Sequence, residues 1–186
     1  MEKVYLDAQA LLEDSLSMAA DIYASGFRPT CMIAVWRGGA PIGLAVQEFL
    51  SCAGVETDHI TIRTSSYQNI DERSRKVAVY GLSYLIKNLT YDDRLLIVDD
   101  VFDTGHTIAA IINDLSSKLR RNMPADVRVA VPYYKPTRNE TDLVPDYFVH
   151  ETADWLKYPH SLEGLTRADV AAHRPEILEI LGDRLP

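Results

Sequence analysis

Leu95-Leu96-Ile97-Val98-Asp99-Asp100-Val101-Phe102-Asp103-Thr104-Gly105-His106-Thr107 decides the fold of this chain. Its first four residues form an uninterrupted apolar run. That is the length of a buried strand, too short to make a helix alone or to span a membrane. Two adjacent carboxylates end the run and a third follows at Asp103. Downstream, Ile108, Ile111, Ile112, Leu115 and Leu119 recur every three or four residues, the spacing of an amphipathic helix. The stretch therefore reads strand, acidic loop, helix.

A helix start presents unpaired N–H groups and partial positive charge, so the loop before Ile108 suits an anion. Gly105 lets the backbone close around a phosphate, and Thr104 and Thr107 add hydroxyl donors. Asp99 and Asp100 would repel that phosphate. They suit a sugar's paired hydroxyls or a divalent cation such as Mg²⁺. A phosphate at one end and hydroxyls or metal at the other describe a ribose 5-phosphate site. Helix capping accounts for one or two such residues, but not for three acids at the end of an apolar strand.

Outward from this stretch, residues 8–24 carry a helical stripe that Gly26 terminates, and Cys31 to Trp36 is a first core strand. Arg37-Gly38-Gly39-Ala40-Pro41 opens a helical pattern from Ile42 to Cys52. Its glycines permit close approach by a ligand, and Arg37 adds a forked cation suited to phosphate oxygens. Val55 to Arg63 is a second strand, followed by a polar, charged segment that reads as a solvated loop. Val77 to Leu89 reads either as a strand pair or as a short helix. Val127 to Tyr133 alternates as a strand, Pro145 to Val149 returns to one, 151–159 is aromatic and irregular, and Ile177 to Leu181 closes as a helix. Strands alternating with helices call for a parallel sheet covered on both faces, with ligands at the carboxyl ends of the strands.

Residues 98–107 resemble the signature of type I phosphoribosyltransferases, in the acidic pair and in the Asp-Thr-Gly-x-Thr alike. Arg37-Gly38-Gly39 resembles the pyrophosphate loop of the bacterial purine enzymes of that family. Ser66-Tyr67 resembles the start of their mobile catalytic loop, and Trp155-Leu156 after Pro145–Val149 resembles their base-binding end. The resemblance implies an α/β fold, a parallel twisted sheet flanked by helices with a small C-terminal hood. It implies one domain over 1–186, with a core of about 27–134, a hood of about 135–186 plus the N-terminal helix, and a mobile loop of about 64–78. The implied reaction moves a phosphoribosyl group from phosphoribosyl pyrophosphate to a 6-oxopurine, with Mg²⁺ as cofactor.

The resemblance also assigns roles. Asp99 and Asp100 bind ribose and metal, Asp103, Thr104, Gly105, His106 and Thr107 hold the 5-phosphate, and Arg37, Gly38 and Gly39 hold pyrophosphate. Lys135, just past a strand end, donates to the ring carbonyl, Trp155 stacks on the base, and the Leu156 backbone pairs with its edge. Asp103 is the candidate general base for the purine N7 proton. In that family the peptide entering the pyrophosphate loop occurs in the cis form without proline, which leaves open whether the peptide before Arg37 does.

Composition sets the outer bounds. The chain has 186 residues, 47% hydrophobic and 25% charged, enough to bury a real core. A net charge of −8 argues against a nucleic-acid surface, with Arg73-Ser74-Arg75-Lys76 the one basic run. Cys31 and Cys52 lack metal-ligand spacing and read as small buried hydrophobes in a reducing compartment. With no apolar leader at Met1-Glu2-Lys3 and no membrane-spanning run, the expectation is a cytoplasmic protein. A homodimer or homotetramer is expected on the general habit of soluble chains, since nothing in the residues sets the oligomeric state. The alternatives are a phosphoribosyltransferase for another base, or a non-catalytic phosphoribosyl-binding regulator that binds RNA, which the acidic balance disfavours.

Overall fold

The computed structural model describes residues 3–68 and 75–182. They form two compact units, one of residues 9–153 and a smaller one of 1–8 with 154–186. The larger unit holds a seven-stranded sheet. Its strands are β2 (Cys31–Trp36), β3 (Asp58–Gln68), β4 (Arg75–Tyr80), β5 (Arg94–Val98), β6 (Val101–Phe102), β7 (Asp126–Tyr134) and β8 (Tyr147–Glu151). The order is β4-β3-β2-β5-β7-β6, with β8 also on β7, and every pairing is parallel except β3 with β4.

The apolar run 95–98 is buried on both faces because the sheet is covered on both faces. Leu95 and Ile97 pack in one cluster with Ile33, Val35, Val129 and Val131 from neighbouring strands. Helix α4 (His106–Leu119) closes that face with Ile108, Ile111, Leu115 and Leu119. Leu96 and Val98 alternate to the other face, as the strand period requires. Helix α2 (Gly39–Cys52) packs on β2 and β5 and buries Ile42, Val46 and Leu50.

Helix α1 (Ala8–Ala24) matches its expected bounds, and Gly26 follows it at φ 83°. It belongs to the larger unit, as do residues 135–153, rather than to the hood. The physical reason is pairing: β8 extends the main sheet from β7, and His150 on β8 bonds Asp14 of α1 at 2.9 Å. His150 thereby ties β8 to α1. The segment 77–89 resolves as a strand and a helix, β4 and α3 (Ser83–Asn88), parted by Gly81 at φ 91°. Residues 64–68 and 75–78, expected within a loop, form an antiparallel ladder. The remainder of that loop, and Arg73 and Ser74 of the basic run, lie outside the described residues.

The smaller unit pairs β1 (Lys3–Tyr5) in parallel with β9 (Trp155–Lys157) and adds α5 (Arg167–His173) and α6 (Pro175–Leu181). Tyr5 stacks on His173 with ring centroids 3.9 Å apart. The Arg174 guanidinium donates to the carbonyls of Leu6, Lys157 and Pro159. Of the cysteines, Cys31 is buried as expected and its thiol is pushed up to about 12, chiefly by burial. Cys52 departs from expectation: at the end of α2 it faces solvent. No helix among the described residues is long and apolar enough to cross a membrane.

Candidate active site

Strand order reverses between β2 and β5. From β2 the chain continues outward to β3, and from β5 it continues the other way to β7. β2 and β5 are parallel neighbours with Ala34 opposite Val98, so the loops after them open side by side at the carboxyl edge. That register sets Arg37-Gly38-Gly39 against Asp99 and Asp100. The contact leaves no free space for a side chain on either glycine. A Cβ on Gly38 would fall on the Asp100 carboxyl group, and one on Gly39 would lie 2.6 Å from the Val98 carbonyl oxygen. The Trp36–Arg37 peptide that enters this loop is cis.

Asp99 is 8% exposed, and its Oδ1 accepts the Asp100 N–H at 2.9 Å. Burial pushes its carboxyl well above the ordinary carboxylate range, and the Asp100 charge beside it adds to the rise. Burial raises Asp100 too, against the opposing pull of the Lys135 ammonium. Two adjacent hard oxygen donors without a third carboxylate or imidazole suit Mg²⁺, which leaves most of its positions to substrate oxygens and water. Among the described residues no cluster of three or more such ligands exists. The pair thus fits a metal brought with a substrate.

Past the acids, Gly105 takes φ 82° and caps α4, a left-handed conformation that explains a glycine there. Its surroundings are crowded: a Cβ would meet the Thr141 hydroxyl, and Asn139 Oδ1 and Phe102 Cε1 at 3.0 Å. A cavity of about 170 Å³ opens over this turn, lined by Asp99, Asp100, Asp103, Thr104, Gly105 and Thr107 among others. The loop and the acid pair therefore share one concavity. His106 lies at the first helical position, with Nε2 2.6 Å from Glu140 Oε2.

The segment after β7 is laced onto the same loop. The Lys135 N–H donates to the Phe102 carbonyl at 2.9 Å, and the Glu140 N–H to the Thr104 carbonyl at 3.0 Å. Lys135 is 4% exposed, far from the solvated state usual for lysine, and its ammonium lies 3.6 Å from Asp103 Oδ2. Arg138 Nε lies 2.6 Å from Asp103 Oδ1. Sequence reasoning missed Arg138 and Glu140. Arg138 reaches the site through the fold: residues 136–138 form a 3₁₀ turn, where positions three apart lie above one another, so Arg138 comes back over Lys135.

The larger unit thus brings together Arg37, Gly38 and Gly39, the 99–107 stretch and Lys135. Ser66 and Tyr67 lie on β3 in the same unit. Trp155 and Leu156 lie on β9 in the smaller unit. Trp155 is 48% exposed, which is not the burial of a core tryptophan.

A parallel sheet with a phosphate-type helix start and an acid pair at its switch point defines a class of nucleotide-handling α/β proteins. The chain belongs to the phosphoribosyltransferase family, since residues 2–163 match the family described as the phosphoribosyl transferase domain. Its enzymes are what the chain resembles in three dimensions as well. It is similar to a purine phosphoribosyltransferase from Pyrococcus horikoshii Ot3, with 26% identity and a TM-score of 0.64 over 86% of this chain and 93% of that one. A Neisseria gonorrhoeae protein with bound ppGpp superposes with a TM-score of 0.70 at 20% identity, over 87% and 91% of the two chains. A Helicobacter pylori xanthine-guanine-hypoxanthine phosphoribosyltransferase gives 0.63 at 18%, over 84% and 92%. No curated protein matches the chain significantly.

Proposed function

We propose that this phosphoribosyltransferase acts on a 6-oxopurine (hypoxanthine, guanine or xanthine), giving the nucleoside monophosphate and pyrophosphate. The observation that carries the base is the fork made by Lys135 and Asp103, an ammonium donor 3.6 Å from a carboxylate acceptor. The edge of a 6-oxopurine sets the C6 carbonyl beside N7, and with the proton on N7 it reads acceptor, then donor. The fork is its complement. A 6-aminopurine would put an amino donor against the ammonium, donor facing donor. The similarity to a purine phosphoribosyltransferase at 26% identity supports the same class.

In the reaction the bond from ribose C1 to the pyrophosphate oxygen breaks and a bond from C1 to purine N9 forms. The N7 proton passes to Asp103 Oδ2. Charge develops on the ribose as in glycoside cleavage, so the protein's work is to hold both partners still and to stabilise the leaving group. Residues 103–107 hold the 5-phosphate through the amides at the start of α4 and the hydroxyls of Thr104 and Thr107. Asp99 and Asp100 take the ribose hydroxyls, and Arg37 with the Gly38-Gly39 backbone takes pyrophosphate. Mg²⁺, when bound at Asp99 and Asp100, supplies charge neutralisation to the departing pyrophosphate.

The test is a spectrophotometric assay of hypoxanthine, guanine, xanthine and adenine with phosphoribosyl pyrophosphate and Mg²⁺. Transfer to one or more of the 6-oxopurines and not to adenine is expected. Transfer to adenine alone, or to none, refutes the reading.

A further inference from the structure

Resting on that reading, we infer that Arg138 is a positioning residue that holds the base-binding fork open. Asp103 Oδ1 has no contact with solvent, and the Arg138 guanidinium lies 2.6 Å from it. An oxygen shielded from water beside a cation is held there by charge, because nothing else replaces its lost hydration. The other oxygen, Oδ2, stands 3.6 Å from the Lys135 ammonium. That separation is too long for a hydrogen bond, although an ammonium and a carboxylate left to themselves close to about 2.8 Å.

Closure would be costly to function. The two groups that must face a purine would bind each other, and their donor and acceptor would be spent before the base arrived. Arg138 prevents this by holding the same carboxylate through its other oxygen. Its place is fixed by the chain: the 3₁₀ turn at 136–138 hangs from Lys135, with the Arg138 N–H donating to the Lys135 carbonyl at 3.0 Å. One turn thus carries both cations and applies them to the two oxygens of a single carboxylate.

In this scheme Arg138 acts through the Asp103 carboxylate, whereas the 5-phosphate is held by loop amides and threonine hydroxyls and the pyrophosphate by the Arg37–Gly39 loop. Its loss should therefore be felt by the base and not by the phosphoribosyl donor. The experiment compares wild type with Arg138→Met, Arg138→Lys, Asp103→Asn and the Asp103→Asn/Arg138→Met double variant, varying purine and donor separately. In Arg138→Met, kcat/KM for the purine should fall about 100-fold, the effect of shifting a reacting group by about 1 Å. The donor KM should stay within about twofold. Arg138→Lys should recover part of the loss, since it restores the charge without the fork. In the Asp103→Asn background Arg138→Met should add nothing, because there is no longer a carboxylate to hold.

Thermal denaturation reports whether each variant is folded, and Arg138→Gln replaces Arg138→Met if that one is not. Equal losses for purine and donor, additive losses in the double variant, or unchanged purine kinetics overturn the inference while leaving the transferase reading intact. A wild-type chain that transfers to no base overturns the function, and the inference with it.

Discussion

Replacing Gly38 with alanine tests the juxtaposition of the two loops most directly. Gly38 sits at φ −63°, ψ −37°, ordinary helical angles, so a methyl group costs the backbone nothing. What it meets is the Asp100 carboxyl group, with Asp100 Cβ at 3.0 Å. The carboxyl atoms end a side chain that turns about χ1 and can swing aside, whereas Asp100 Cβ does not move with χ1, so the two loops must also part slightly. The stability cost is that of mild overpacking, about 1–2 kcal/mol, or about 3–6 °C in Tm for a chain of this size. Function should suffer more. A carboxylate displaced by about 1 Å costs about 100-fold in kcat/KM for the phosphoribosyl donor, equivalent to about 2.7 kcal/mol.

Gly39→Ala is the contrast. Its Cβ would lie 2.6 Å from the Val98 carbonyl oxygen and 2.8 Å from Asp99 Cα, and neither backbone atom can rotate away. The end of β5 must move, at a cost of about 3 kcal/mol and about 6–12 °C in Tm. Thermal denaturation and steady-state assays of the two variants separate the effects. Gly38→Ala with kcat/KM within about twofold of wild type would show that the reaction does not need Asp100 where it stands. Gly39→Ala with an unchanged Tm would refute the packing argument itself.

Three further outcomes follow from the same geometry. Lys135→Met should raise the purine KM about 10- to 150-fold, the loss of a hydrogen bond from a charged donor, and the donor KM much less. An equal rise for both substrates removes Lys135 from the base. Asp99→Asn should stabilise the ligand-free protein increasingly as pH rises. Burial raises the Asp99 carboxyl above its ordinary 3.8, so the folded state binds the proton more tightly than the unfolded state. The resulting stability is present below 3.8 and is lost as pH climbs through the raised value. A Tm difference between variant and wild type that does not grow from pH 4.5 to pH 8 contradicts this. Gly105→Ala should weaken ribose 5-phosphate binding at least about 10-fold by calorimetric titration, because it strains a φ of 82° and drives a methyl group onto Thr141. An unchanged affinity would place the phosphate elsewhere.

The elements legible in the sequence were those whose pattern is local. β2 and α1 fall on the residues expected of them, and the strand–loop–helix at 95–119 reads directly because apolar run, acid pair and helical stripe follow one another without a gap. Short pieces stabilised from afar were not legible. β1 is three residues long and exists because β9 lies beside it, and β9 in turn was hidden in a stretch without alternation. α5 buries Val170 alone, and its Thr166–Asp169 capping box, not its hydrophobicity, marks its start. At the site, the acids, glycines and Lys135 could be read from residue type and position after a strand. Arg138 and Glu140 act by folding back onto Asp103 and His106, a relation visible only once the 3₁₀ turn has been formed.

The pairing of β1 with β9 also bears on how the chain is made. Residues 3–5 are made well ahead of their hydrogen-bond partners at 155–157. Until those partners are made β1 has no mate, and Tyr5 no imidazole to lie against. The larger unit has all its strands translated before then, so the smaller one completes itself after it. Deleting residues 3–5 should harm the smaller unit more than the sheet of the larger one.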